Sequence, residues 1–250
     1  MFNIVNQVKT LVGIKGNGYK TDGFDARDVL FTSKFAAVHY PEKVNLLQDV
    51  VRVKDQQATG SCVGQSIANA VRIAYLQDNK PAPDLSALFV YYNARFEENT
   101  PKIIDDGCRI RLAMKAVMKF GICPESNWAF SVAKANTRPD HWAYRYGASQ
   151  RGIRGYYRIE KGDISSIKRA LATGKPIVAG WDLSNTFGPK DGIVDRQVNG
   201  TAGHAMCIYG YDGDKFNVLN SWGQDWGVKG AFLGTSSFIA DARDLWAIDV

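Results

Sequence analysis

The sequence has few of the residues that build cross-linked, metal-bound or membrane-spanning proteins. It has four cysteines and three histidines in 250 residues, and no C-x-x-C pair. Without a secretory leader, this predicts free thiols in a reducing compartment and gives a metal site little support. No apolar run approaches the roughly 18 residues that a membrane helix needs. We therefore expect a cytoplasmic protein with no metal, no cofactor and no clear membrane partner.

The size and composition fit an ordinary globular protein. The chain is 45% apolar and 22% charged, and one domain of two lobes is the simplest expectation. Residues 1–17 carry apolar side chains at helical spacing, which predicts a short amphipathic extension. We interpret it as a packing or tethering arm, with a membrane or partner contact as the alternative. Residues 18–250 form the main domain.

The formal charge of +6 is concentrated in residues 134–175, where aromatic residues alternate with lysine and arginine. Such a stretch can bind nucleic acid. No nucleic-acid-binding motif accompanies it, so a solvated basic face over packed aromatic residues is the preferred interpretation.

Helical periodicity dominates the first half of the chain. Apolar spacing predicts helices from Cys62 to Gln77, from Leu85 to Phe96 with Asp84 as N-cap, and from Arg109 to Phe120. Gly121 is placed to end the third helix. Residues 19–51 lack a long periodic segment, and we expect extended chain on the surface there.

The second half of the chain changes to strand patterns. After a helix from Ile164 to Thr173 capped by Asp163, five strands are predicted at 176–183, 204–211, 216–220, 230–233 and 245–250. A helical lobe at about 52–130 and an antiparallel lobe at about 150–250 make an α+β fold. Such a fold has a natural cleft between its lobes.

Cys62 is the best candidate for a reactive group. It follows a turn and begins a helix, where the helix dipole favours a thiolate. His204 begins one strand and Asn220 ends the next, so antiparallel pairing brings them side by side. His39 and His141 are expected on the surface.

Three segments resemble the papain-like cysteine peptidases, in particular their prokaryotic branch. They are Val53-Lys-Asp-Gln56 with Cys62, Gly203-His204-Ala205, and Asn220-Ser-Trp-Gly-x-x-Trp-Gly-x-x-Gly230, with 142 residues between cysteine and histidine. The resemblance implies the two-lobe papain fold and a cysteine endopeptidase acting on proteins or peptides. It implies these roles: Cys62 as nucleophile, His204 as general base and acid, Asn220 orienting His204, Gln56 binding the oxyanion, and Trp222 shielding the His–Asn hydrogen bond.

The resemblance also implies substrate contacts, and it has departures. Gly203 and Ala205 leave room for a substrate backbone. Asp106-Gly107 stands where the family has Gly-Gly, so Gly107 would hydrogen-bond the substrate and Asp106 would favour basic substrates. Thr59 replaces a disulfide cysteine three residues before Cys62, and Val63 replaces the usual aromatic residue.

The control of activity has no explanation in the sequence. No long inhibitory propeptide with its helical signature precedes the domain, and we hypothesise that residues 1–40 cover the cleft. Two other functions are considered: an inactive papain-like binding or assembly module, and an acyl-transfer or deamidating effector. The sequence does not predict the natural substrate or the oligomeric state.

Overall fold

The fold is described from a computed structural model of the chain. It covers residues 18–36, 39–47, 53–99, 102–149, 151–196 and 200–250, apart from the side chain of Tyr146. The predicted extension, residues 1–17, lies outside the described residues. Within the described ranges, no helix is long and apolar enough to cross a membrane.

The first half of the domain supplies most of the helices. They are α1 (Phe31–Lys34), α2 (Cys62–Gln77), α3 (Ala87–Glu97) and α4 (Ile110–Phe120). Helix α2 is buried on nearly every side because small residues let its neighbours come close. A Cβ on Gly64 would stand 2.5 Å from the carbonyl oxygen of Ala87, so the glycine allows α2 to touch α3.

The ends of the helices correct one prediction and agree with the others. Ser86, not Asp84, caps α3: Ser86 Oγ accepts from Phe89 N at 3.2 Å, whereas Asp84 accepts from Lys54 Nζ at 2.7 Å. The backbone stays extended up to Ser86 because Leu85 forms a β-bridge with Pro124. As predicted, Gly121 ends α4 with a φ of 74°, and Asp163 caps α5 (Ile164–Ala172), accepting from Ser166 N at 2.9 Å.

The chain forms an eight-stranded sheet, seven of whose strands come from the second half, which confirms the α+β fold. The strands are β2 (Lys43–Asn45), β4 (Gly155–Ile159), β5 (Ile177–Leu183), β6 (Ile193–Val194), β7 (Ala202–Asp212), β8 (Lys215–Leu219), β9 (Ala231–Thr235) and β10 (Asp244–Asp249). Their order is β4-β10-β5-β7-β8-β9-β6, with β2 also paired to β7, and among these described strands only the β6–β9 pair is parallel. Helix α6 (Ser236–Ala240) follows β9. A separate parallel pair joins β1 (Tyr19–Lys20) to β3 (Cys108–Arg109).

The helical and sheet layers meet along α2, which packs against β5 and β7. Residues from both layers form one buried core. Cys62 at the start of α2 is therefore held against the strand that carries His204. This contact positions the candidate site.

Parts of residues 19–36 and 39–47 depart from the predicted surface wrapping. Tyr19, Asp22, Phe31 and Leu46 are each at most 5% exposed. Because Phe31 packs against Phe35, whose ring meets Tyr157 edge-on, these buried side chains attach the segment to the core.

The basic stretch also contributes aromatic residues to the core. Tyr144 packs 4.8 Å from Phe89, and Tyr157 is buried on β4, while Trp142 is exposed. These contacts account for two of the aromatic residues as packing groups.

Candidate active site

Cys62 is the first residue of α2, and its side chain is fully buried. The turn before it is closed by its own hydrogen bonds. Thr59 Oγ1 donates to Gln56 O at 2.7 Å, and Thr59 N donates to the same oxygen at 3.1 Å. The turn therefore delivers the sulfur to the positive end of the helix dipole.

Asp105 fastens this turn to the loop before β3. Its Oδ1 accepts from Gly60 N at 2.8 Å and from Tyr91 Oη at 2.6 Å. Asp105 was not predicted to have a role, although the acidic pair Asp105-Asp106 beside Gly107 is visible in the sequence. Thr59 leaves the turn without the family's disulfide, and the hydrogen bonds of Asp105 hold the adjacent Gly60.

His204 and Asn220 meet across neighbouring strands. His204 lies on β7, Asn220 directly follows β8, and His204 Nε2 lies 2.8 Å from Asn220 Oδ1. Ser221 N donates to the same Oδ1 at 2.8 Å, which identifies that atom as the oxygen. Nε2 of His204 must then carry the proton, which leaves Nδ1 as the basic nitrogen. Nδ1 is buried, and no described residue hydrogen-bonds to it.

Trp222 covers the imidazole. Its ring centroid lies 4.8 Å from that of His204, and the indole is 7% exposed. Phe187 and Trp226 pack around the indole at 5.7 and 5.2 Å. The His204–Asn220 hydrogen bond is thus buried beside an aromatic cluster, and a hydrogen bond in such surroundings is stronger than one in water.

Two further contacts fix the relative positions of these groups. Ser66 Oγ, one turn along α2 from Cys62, donates to Ala205 O at 2.9 Å and joins the helix to the strand of His204. Gln56 Nε2 donates to Thr59 O at 3.0 Å, and Gln56 Oε1 accepts from Ser221 Oγ at 2.8 Å. Gln56 thereby joins the turn before Cys62 to the segment that carries Asn220.

Residues 18–22, which we name the cleft segment, run across this site. Cys108 N donates to Gly18 O at 2.9 Å, and Tyr19–Lys20 pair with β3. A Cβ on Gly18 would stand 2.2 Å from Gly60 O and 2.9 Å from Cys62 Sγ. The backbone of Gly18 therefore passes directly over the sulfur. Of residues 1–40, which we hypothesise cover the cleft, residues 18–22 lie in it.

Burial changes the protonation of the two reactive groups. Burial raises the pKa of the Cys62 thiol to about 12 and lowers the pKa of the His204 imidazole to about 4. Both groups are neutral near pH 7 while the cleft segment is in place. This differs from the thiolate expected from the helix dipole alone, because desolvation outweighs the dipole.

Two side chains of the cleft segment hold it in place. Tyr19 is 5% exposed, and its hydroxyl donates to Asp244. Asp22 accepts from Trp246 Nε1 at 2.8 Å and from Arg111 N at 3.2 Å, while its own backbone N–H donates to Asp244 Oδ2 at 2.8 Å. No role was predicted for Asp244 from the sequence, although it begins the C-terminal segment Asp244-Leu-Trp-Ala-Ile248, which also resembles the prokaryotic branch.

The predicted substrate residues line the same groove, with one difference. Gly203 contacts the cleft segment, since a Cβ there would lie 2.1 Å from Tyr19 O, and Asp106 pairs with Lys20 Nζ at 2.9 Å. Gly107 donates its N–H to Tyr91 Oη at 3.0 Å, so the backbone donor to the segment is Cys108 instead. Gly107 contributes space, because a Cβ there would stand 2.5 Å from Gly18 O.

Comparisons with known proteins show the family and the fold of the chain. A family model described as papain family cysteine protease matches residues 40–236. An uncharacterized peptidase C1-like protein of Acanthamoeba polyphaga mimivirus is 33% identical, over 92% of this chain and 86% of its own length. Human cathepsin O is 30% identical over 73% of this chain and 57% of its own length. The crystal structure of xylellain, a cysteine protease from Xylella fastidiosa, superposes with a TM-score of 0.81 and 30% identity, covering 96% of this chain and 99% of xylellain.

Proposed function

The chain belongs to the papain family of cysteine proteases and is a cysteine peptidase acting on proteins or peptides, and we propose that it is an endopeptidase that uses Cys62, His204 and Asn220. The observation that carries this proposal is the buried 2.8 Å contact between His204 Nε2 and Asn220 Oδ1. It leaves Nδ1 of His204 as a base in the same site as the thiol.

The reaction follows from these protonation states. His204 Nδ1 takes the proton from Cys62 Sγ, and the sulfur bonds to the carbonyl carbon of the substrate. His204 returns that proton to the amide nitrogen as the C–N bond breaks, which leaves a thioester. Water then attacks the thioester, His204 takes its proton, and the C–S bond breaks to release the acid and restore the thiol.

Gln56 and the backbone N–H of Cys62 are proposed to bind the oxyanion. Ser221 Oγ holds Gln56 Oε1 at 2.8 Å, so the carboxamide is oriented before substrate arrives. Loss of one such donor typically lowers kcat by about 100- to 1000-fold.

We propose that the cleft segment keeps the enzyme latent. With Gly18 over Cys62, a substrate carbonyl has no access to the sulfur, and both reactive groups are neutral. Movement of residues 18–22 out of the groove would admit both the substrate and water. Rehydration of the site would then bring both pKa values back towards their ordinary range.

The test compares two cysteines in the full chain carrying Gly18→Ala, a change that displaces the cleft segment. Cys62→Ala should abolish casein hydrolysis and iodoacetamide labelling at residue 62. Cys207→Ala, which removes a buried free thiol on β7, should preserve both. Hydrolysis that survives Cys62→Ala would refute the nucleophile, and ammonia release without peptide cleavage would indicate a deamidating enzyme instead.

A further inference from the structure

The loop that follows the cleft segment, residues 23–28, presents a phenylalanine to solvent, and two of its residues also line a basic groove. We infer that this loop and the basic groove form a docking surface for an acidic segment of another protein that carries apolar side chains. The inference goes beyond the proposed peptidase activity and does not depend on it.

Arg111 on α4 fastens both ends of the loop. Its Nη2 donates to Gly23 O at 2.6 Å, and its Nε and Nη2 each donate to the carboxylate of Asp28 at 2.7 Å. Arg158 Nη1 adds a hydrogen bond to Asp28 at 2.9 Å, and Asp28 N donates to Asp25 O at 3.0 Å. Charge-assisted hydrogen bonds of this kind are strong, so the loop holds a fixed shape.

This fixed loop displays Phe24, which is 93% exposed. A single exposed apolar side chain is common on a protein surface. Here, however, Val29 directly follows the loop, Met118 lies on the helix that fastens it, and each of the two is about half exposed and lines the basic groove. Exposed apolar side chains grouped in this way are typical of a contact with another molecule.

The basic groove has a volume of about 340 Å³. Three cations line it: Arg27, Lys34 and Arg154. Asp28 also lines it, but its carboxylate is already paired with Arg111 at 2.7 Å and with Arg158 at 2.9 Å. The charge that the groove offers to a partner is therefore positive.

Lys34 is the cation most available to a partner. Arg27 pairs with Asp25 at 2.6 Å, and Arg154 pairs with Asp78 at 3.3 Å. Lys34, the last residue of α1, is exposed and forms no ion pair with any residue in the described ranges. A carboxylate on the partner would meet an unpaired positive charge there.

Charge favours an acidic partner over this chain itself. Residues 1–17 contain Lys9 and Lys15 and no acidic residue, so they would bring like charge to the basic groove. In a twofold dimer the same surface of both copies meets, so Arg27 and Lys34 of one copy would face the same cations of the other. An acidic segment has the opposite charge, and its apolar side chains would cover those exposed beside the groove.

The experiment uses the full chain with Cys62→Ala, so that no bound peptide is hydrolysed, and three fluorescein-labelled peptides. Asp-Glu-Phe-Glu-Leu-Asp has both features, Asp-Glu-Ser-Glu-Ser-Asp lacks the apolar side chains, and Lys-Lys-Phe-Lys-Leu-Lys has the opposite charge. Fluorescence anisotropy measures the Kd of each. We expect the first peptide to bind at least about fivefold more tightly than either of the others. Its Kd should rise with salt, because salt screens exposed charges.

Two variants locate the binding on the docking surface. Phe24→Ser and Lys34→Glu should each raise the Kd of the acidic apolar peptide by at least about fivefold, since the first removes an aromatic contact and the second repels the peptide. Both side chains are exposed, so the fold tolerates the changes. Val228→Ser and Lys161→Glu make comparable changes at exposed positions elsewhere and should leave the Kd unchanged.

Three results would overturn the inference. They are equal binding of the three peptides, no binding of the acidic apolar peptide, and a Kd for that peptide that either Phe24→Ser or Lys34→Glu leaves unchanged. Gel filtration of the free chain tests the other occupant. A dimer that Phe24→Ser dissociates would show that a second copy covers this surface, and it would also overturn the inference.

Discussion

Replacing Gly18 by alanine should open the active site. The new Cβ would stand 2.2 Å from Gly60 O and 2.9 Å from Cys62 Sγ, well inside ordinary contact distance. Gly60 O is a backbone atom of a turn that Asp105 holds, so no side-chain rotation relieves the contact. Gly18 does not have a positive φ, and alanine is therefore compatible with the backbone itself. The steric contact is the whole perturbation.

The size of the effect follows from the cost of overpacking. Forcing a methyl group into a filled space typically costs about 1–3 kcal/mol, which corresponds to about a 5- to 150-fold shift between two states. The contact with a fixed backbone oxygen places Gly18→Ala towards the upper end of that range. The cleft segment should leave the groove more often by this factor, as long as the covered state predominates in the wild type.

Gly23→Ala is the matched control. It lies in the same part of the chain, has no positive φ, and its Cβ would meet nothing within 4 Å. The assay measures the rate of iodoacetamide alkylation at Cys62 by mass spectrometry, together with peptide hydrolysis. Both rates should rise in Gly18→Ala and stay at the wild-type value in Gly23→Ala. Equal rates in all three proteins would refute the argument that this segment controls access to Cys62.

Two further predictions concern residues that hold the site. Asp105→Ala removes the acceptor for Gly60 N and Tyr91 Oη, and it should lower kcat of the opened enzyme by about tenfold or more with a smaller change in KM. Asp105→Asn keeps an acceptor oxygen and should retain most of the wild-type rate. An equal loss in both variants would contradict a positioning role. Burial, reinforced by the charge of Asp244, raises the pKa of Asp22 to about 6 from an ordinary 3.8, so the covered state binds the extra proton and is favoured at low pH. The free energy that favours the covered state should be greatest below about pH 4, fall by up to about 3 kcal/mol as the pH rises to about 6, and then level off. The ratio of the wild-type to the Gly18→Ala alkylation rate at Cys62 measures this change. The same pH dependence in Asp22→Asn would contradict the assignment to Asp22.

The spacing of apolar residues predicted most of the helices and strands, because it reflects which face of each element is buried. The ends of five strands were predicted to within two residues, and the ends of α4 and α5 to within one residue. Strand β4 was missed because its alternation lies within the basic stretch, where charge obscured the pattern. Ser86 was missed as a cap because Asp84, two residues earlier, has an equally suitable side chain. Only the bridge of Leu85 to Pro124 decides between them.

For the site, the sequence predicted the residues that we propose carry the chemistry, and it did not predict the residues that hold them in place. Cys62, His204, Asn220 and Gln56 were singled out by residue type and spacing, and the structure brings them into one buried region. Asp105 and Ser66 act through hydrogen bonds to backbone atoms far away in the chain, at Gly60 and Ala205. Such partners are set by tertiary packing, and no local pattern marks them.

The hydrogen bonds of Tyr19 and Asp22 hold the cleft segment, and each contributes only a modest free energy. They are sufficient because the segment is part of the same chain as the groove. When a segment is linked to its binding site by a short stretch of chain, its effective concentration at that site is commonly in the millimolar range. A free peptide with the same contacts would need a comparable concentration to compete. One phenol on Asp244 and one carboxylate between Trp246 and Arg111 can therefore keep the groove filled. By the same reasoning, the loss of one of these side-chain contacts should shift the balance measurably, because few such contacts hold the segment in the groove.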